Sequence, residues 1–150
     1  YLSDKLGAKA LTVAGLAIML AGLGVLSLLG LSSSPALVLV GLALFGVGGG
    51  VFGSPNTKLI MSQAPRDKLG IAGSINALAR NMGMVSGIAF AVALLNGSMS
   101  ARLGRRVSGF VPENPEAFIF GMRTVFAAAA ALCAIAITLT LARALRRERA

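Results

Sequence analysis

Arg80 sits between Ala79 and an uncharged stretch, Asn81 to Ala101. An arginine at the centre of a membrane-spanning helix costs about 2.5–3.5 kcal/mol on insertion scales, so it must face protein, water or a backbone carbonyl. Projected at about 100° per residue, Gly73, Asn76, Arg80, Gly83 and Gly87 gather within about 80° of one another. The opposite face reads Ile71, Ile75, Leu78, Met82, Val85, Ala89 and Val92. A guanidinium on such a small, polar stripe can hold carbonyls or a carboxylate through several donors at once, which a lysine cannot reproduce. The competing reading is an arginine that snorkels to the headgroups. A second stripe, Gly46, Gly49, Gly50, Gly53 and Thr57, lies upstream and ends at Pro55 and Asn56. Gly46/Gly50, Gly49/Gly53 and Gly83/Gly87 each have the four-residue spacing of small residues that lets helices approach closely in a membrane. Pro55 cannot donate to the Val51 carbonyl, so a kink is expected there.

Other chemistry is missing. The chain has no His and one Cys, and its five acids, Asp4, Asp67, Glu113, Glu116 and Glu148, all fall in connections or at the tail. Cys133 reads as a small apolar packing residue. Gly46 to Gly53 is no phosphate cradle, because no strand precedes it. The sequence therefore points away from an enzyme and calls for no cofactor and no metal.

The elements that carry these residues follow from hydropathy. Apolar residues make up 56% of the 150 positions and charged residues only 13%, about half the share usual for a soluble domain. No charge occurs from Ala10 to Thr57, or from Thr124 to Ala142. A hydrocarbon core of about 30 Å needs roughly 20 apolar residues in a helix. Spans are expected near Leu11–Leu31, Ala36–Leu59, Ile71–Asn96 and Phe118–Leu141, with Ser32, Ser33, Ser34 and Pro35 breaking the first pair. Residues 1–10 read as a loop, 11–61 as a helix pair, 62–70 as a polar turn, 71–96 as the third helix and 97–117 as the longest connection. Residues 118–142 form the fourth helix and 143–150 a basic tail. The class is an all-α membrane protein with four transmembrane helices. Gly15, Gly22 and Gly24 suit the first helix to close packing, and that helix reads as scaffold.

The net charge of +9 does not mark a nucleic-acid binder, since the basic residues flank the apolar segments. With four spans, Lys5, Lys9, Lys58, Arg66, Lys68, Arg143, Arg146, Arg147 and Arg149 share one side. Arg102, Arg105, Arg106 and Arg123 are counted on the other, leaving Arg80 as the one ionisable residue placed inside a span. This asymmetry predicts cytoplasmic termini in the cell membrane, with Arg102 to Arg106 the dissenting cluster. The segment before the first span reads as a loop entered midway, so the chain is expected to be a piece of a longer protein.

Leu2 to Lys9 resembles the cytoplasmic loop signature of the major facilitator superfamily, in which Asp4, Lys5, Gly7 and Lys9 match the aspartate, basic, glycine and basic positions. Gly46 to Gly50 with Pro55, then Pro65, Gly70, Arg80, Gly83 and Gly87, is similar to the C-terminal part of that family, most of all its fourteen-span drug/proton antiporter branch. The resemblance implies the last four helices of a major-facilitator-type bundle. Its partners would be the lipid bilayer, the N-terminal helices of the same transporter, a small-molecule substrate and protons. It places the second helix along a central cavity and the third between halves, with the first and fourth as peripheral scaffold. The coupling acid would lie elsewhere, since no carboxylate falls inside a span. A small four-span membrane protein with a structural or assembly role is the alternative.

Overall fold

The computed structural model describes residues 8–147, with side chains described for 10–142. Four helices follow one another: α1 (Ala8–Ser27), α2 (Pro35–Met61), α3 (Leu69–Leu103) and α4 (Pro115–Arg147), with a single 3₁₀ turn, Arg66–Lys68, before α3. All four contain stretches long and apolar enough to cross a membrane. No strand occurs among the described residues.

Local chemistry sets the ends. After Ser27 the chain turns through Leu28 to Ser34, where Gly30 and Ser33 bond each other in both directions. Ser34 then caps α2 by accepting from the Ala36 amide, and Pro35 fills the first helical position, where a missing N–H costs nothing. The α2–α3 turn is held by the Lys68 amide donating to the Pro65 carbonyl. Helix α3 ends at Gly104, whose φ of 65° is the left-handed conformation that closes helices and that glycine adopts without strain.

The third and fourth helices run past their expected spans. Helix α3 continues from Asn96 to Leu103, and α4 starts at Pro115 rather than Phe118. Hydropathy stops where lipid contact would stop, but nothing in Ser98 to Leu103 breaks a helix. With 35 residues, α3 is about 52 Å long. The first helix instead ends four residues before Leu31. The remaining connection, 104–114, folds back on itself. The Ser100 hydroxyl accepts from the Val107 amide and donates to its carbonyl, and Phe110 meets Phe118 edge to face at 5.3 Å.

Helix α1 is the hub. It packs most extensively on α2 and next on α4, while α3 reaches the rest mainly through α4. The α1–α2 contact depends on missing side chains. A Cβ on Gly15 would stand 2.6 Å from the Phe52 amide nitrogen, one on Gly22 2.7 Å from that of Phe45, and one on Gly48 2.6 Å from that of Met19. Gly41 lies against Leu26. Each helix thus offers two glycines seven residues apart, and the antiparallel backbones meet there directly, the geometry small residues permit in membranes. Gly24, by contrast, faces open space.

Helix α4 is tied to α1 by polar contacts as well. The Arg123 Nε donates to the Ser27 carbonyl at 2.9 Å, and the Cys133 thiol lies 3.4 Å from the Leu16 carbonyl. Its Gly121 sits against α3, where a Cβ would be 3.1 Å from the Leu95 carbonyl and 3.2 Å from the Met99 side chain. Met99 is fully buried as a result.

Candidate transport path and helix interfaces

The two stripes read from the sequence fall on surfaces that the described chain leaves open. On α2, Gly41 and Gly48 face α1, while a Cβ on Gly46, Gly49, Gly50 or Gly53 would meet nothing within 4 Å. The geometry follows from helical phase: Gly46, Gly49, Gly50 and Gly53 lie roughly 130° around the helix from the Gly41/Gly48 contact. Near its end α2 stays helical through Pro55, which is buried, and Asn56 is half-buried beside it. Pro55 leaves the Val51 carbonyl without its usual amide. The Thr57 hydroxyl instead bonds the Gly53 carbonyl at 3.0 Å.

On α3, every residue from Ala77 to Phe90 is exposed. Arg80, Gly83 and Gly87 are therefore open on all sides, and no described residue ion-pairs or hydrogen-bonds with the Arg80 guanidinium. Asn76 is half-buried, and a Cβ on Gly73 would stand 4.0 Å from the end of the Met61 side chain of α2. The chain places the two stripes on consecutive helices that make little contact with each other. Asp4, Lys5 and Gly7 lie outside the described residues, and Lys9 falls in the first turn of α1 with its side chain likewise outside them.

Helices α3 and α4 also frame a wholly apolar pocket, lined by Ala91, Val92, Leu95, Met122, Val125 and Phe126. It offers no hydrogen-bonding group, so it can hold only hydrocarbon. At the far end of the same pair, Arg102 lies 4.8 Å over the Phe120 ring, and Arg105 approaches Glu113 at 3.8 Å with both side chains largely exposed.

Four long apolar helices with an uncovered cationic stripe suit a polytopic transporter better than a catalyst, and comparison with known sequences decides the family. The sequence profile of the Major Facilitator Superfamily matches residues 1–150. The chain belongs to that superfamily. Among curated relatives of this superfamily member, the riboflavin transporter RibZ of Clostridioides difficile is 32% identical over 93% of the chain. The uncharacterized transporter YebQ of Escherichia coli is 38% identical over 64% of it, and the multidrug resistance protein Stp of Mycobacterium tuberculosis 33% identical over 75%. The matched region spans only 29% of RibZ and 21% of each of the other two. No solved structure matches. The chain is thus a multi-pass membrane protein of the major facilitator type.

Within that frame, sequence reasoning misses the roles of three residues. Arg123 was counted with the outer connections, yet it lies about two turns into α4, inside the 118–142 segment, so Arg80 is not alone among the spans. The signal was present: Arg123 interrupts an otherwise uncharged run from Ala117 to Leu141. The packing glycines Gly41 and Gly48 were likewise passed over for the denser Gly46 to Gly53 stripe. Their signal was the seven-residue spacing they share with Gly15 and Gly22.

Proposed function

We propose that these four helices form the C-terminal part of a larger secondary transporter of the cell membrane, which moves small molecules, drugs or metabolites, outward in exchange for protons. The observation that carries this reading is the Arg80 stripe. A guanidinium within α3, flanked by Gly73, Asn76, Gly83 and Gly87 and without a partner among the described residues, requires other helices or a water-filled path to satisfy it. The fraction of its relatives that the chain covers supplies room for those helices. Gly46, Gly49, Gly50 and Gly53 form the facing wall, where absent side chains leave space for a substrate or for another helix. Pro55, which leaves the Val51 carbonyl without its usual amide, and Asn56 give α2 a place to bend during the transport cycle. Asp4, Lys5, Gly7 and Lys9 contribute the charged and glycine positions of the loop signature that the family resemblance implies.

The relatives support membrane transport without fixing the cargo or its direction. Stp is named for multidrug resistance and RibZ for riboflavin. The proton-binding acid belongs to other helices, because the acids among the described residues stand at helix ends or in connections: Asp67 in the turn before α3, Glu113 in the α3–α4 connection and Glu116 in the first turn of α4. The termini lie in the cytoplasm, with Ser32 to Ser34 and Gly97 to Ala117 on the other side; with Arg123 placed inside α4, nine basic residues against three support this. Proteoliposomes carrying the full-length protein, loaded with fluorescent cations or riboflavin and given a pH gradient, test the function. Gradient-dependent, saturable flux is expected. A full-length protein that moves none of them under any gradient overturns the transport reading.

A further inference from the structure

We infer that Arg123 is a positioning residue: from α4 it completes the C-terminal cap of α1 and holds the α1–α2 hairpin in place. The accounting begins with the carbonyls that any helix leaves unpaired at its C-terminal end. In α1, the Gly24 carbonyl accepts from the Ser27 hydroxyl at 2.7 Å. The Val25 and Leu26 carbonyls accept from the amides of Leu28 and Leu29. The Ser27 carbonyl accepts from Arg123, 96 residues away, at 2.9 Å. That last bond is the only one of the four supplied by another helix.

Three features make it more than a chance contact. A cation at a helix C-terminus meets the negative end of the helix dipole, and arginine is suited to bond the last carbonyls. Arg123 lies inside an apolar segment, where a backbone carbonyl is one of the few partners that offset the cost of the charge. The contact also adjoins the tightest packing in the chain: Leu26, Leu29 and Ala117 are 2%, 4% and 2% exposed, and Met99 is fully buried. Gly121, two residues before Arg123, seats α3 on the same stretch of α4. The first turns of α4 therefore gather α1 and α3 at one end of the bundle, and Arg123 ties the end of α1 to α4. Because α1 carries α2 through the glycine contacts, Arg123 also sets the place of the glycine stripe of α2. It does this without touching the stripe.

The transport consequence rests on the proposed function, so the test has one arm that does not. In purified full-length protein with Cys133→Ala, a cysteine replaces Leu29, which is buried beside the capped end. Maleimide labelling of Leu29→Cys is expected to be at least tenfold faster with Arg123→Met than with Arg123, and Arg123→Lys, whose ammonium can reach the same carbonyl, is expected to restore most of the protection. Equal labelling with Arg123 and with Arg123→Met overturns the inference, whatever the protein transports. Failure of both Arg123→Met and Arg123→Lys to reach the membrane overturns it too, because the lysine should keep the cap. In the second arm, Arg123→Met is expected to lower the maximal transport rate at least fivefold with KM changed less than twofold, and Arg123→Lys to recover at least half of that rate. A rise in KM with the rate preserved would place Arg123 in the substrate path and overturn the positioning role. Absence of flux in the parent protein defeats the transport reading alone and leaves the labelling arm to decide.

Discussion

Arg123 stands about two turns into α4 and donates to the last carbonyl of α1; Arg80 stands about three turns into α3 and meets no described residue. Around Arg123, glycine at 121 lets two backbones close on each other, and Met99 and Ala117 are buried. Around Arg80, glycines at 83 and 87 give the same freedom of approach and nothing approaches. The residue types are alike, so residue type alone does not decide whether an intramembrane arginine is structural. What decides is whether the chain itself supplies the acceptor. A satisfied arginine fixes an interface, whereas an unsatisfied one is an appeal to something beyond these helices.

The sharpest way to break that contrast is to exchange Arg80. In the full-length protein, Arg80→Lys and Arg80→Ala are each expected to reduce transport at least tenfold at normal membrane abundance, because neither keeps a planar, multidentate donor. Fully active Arg80→Lys would make the residue a headgroup anchor, and the contrast with Arg123 would collapse to one of depth. Next in size is the contrast between the glycines of α2. Gly48→Val places a side chain where even a Cβ stands 2.6 Å from the Met19 nitrogen. Overpacking of this kind costs about 1–3 kcal/mol, so membrane abundance and thermal stability in detergent should both fall. Gly50→Ala, in open space, should leave abundance unchanged while lowering transport. Equal loss of stability in both variants would erase the distinction.

A smaller effect concerns sidedness. In a Cys133→Ala background, cysteines at Ser33 and Ser108 should react with an impermeant thiol reagent on intact cells, and one at Ser74 should not. The reverse pattern would mean that Arg102, Arg105 and Arg106 outweigh the nine basic residues opposite them. The smallest expected change is at the Arg105–Glu113 pair, which is long and exposed. Such pairs contribute about 0–1 kcal/mol, so Glu113→Gln should shift the detergent melting temperature by no more than a degree or two.

The helices were legible in the sequence because lipid imposes one rule, a run of apolar residues long enough to cross, and Ala10 to Thr57 obeys it plainly. Their ends were less legible. Helix α3 outlasts its apolar run, because Ser98 to Leu103 can stay helical in water as readily as in lipid. Ser34 and Pro35 did announce the start of α2, since a cap and a first-turn proline act locally. The partners of the glycines could not be read from one helix at a time. Gly41 and Gly48 share a seven-residue spacing with Gly15 and Gly22, but that match means nothing until the two helices are set side by side in antiparallel register. Arg123 escaped for a related reason: its acceptor is a backbone carbonyl 96 residues upstream, and carbonyls carry no signature in a sequence.

The double row of glycines between α1 and α2 bears on how the protein is made. Both rows belong to consecutive helices joined by a seven-residue turn, Leu28 to Ser34, so the interface needs nothing encoded downstream of Met61. In a membrane, helices first insert and then associate side by side. During synthesis this hairpin can close while the ribosome is still translating α3, with Gly15 opposite Gly48 and Gly22 opposite Gly41 setting the register. The Ser27 carbonyl then waits, exposed at the rim of the nascent pair, until some ninety-six residues later an arginine emerges to claim it.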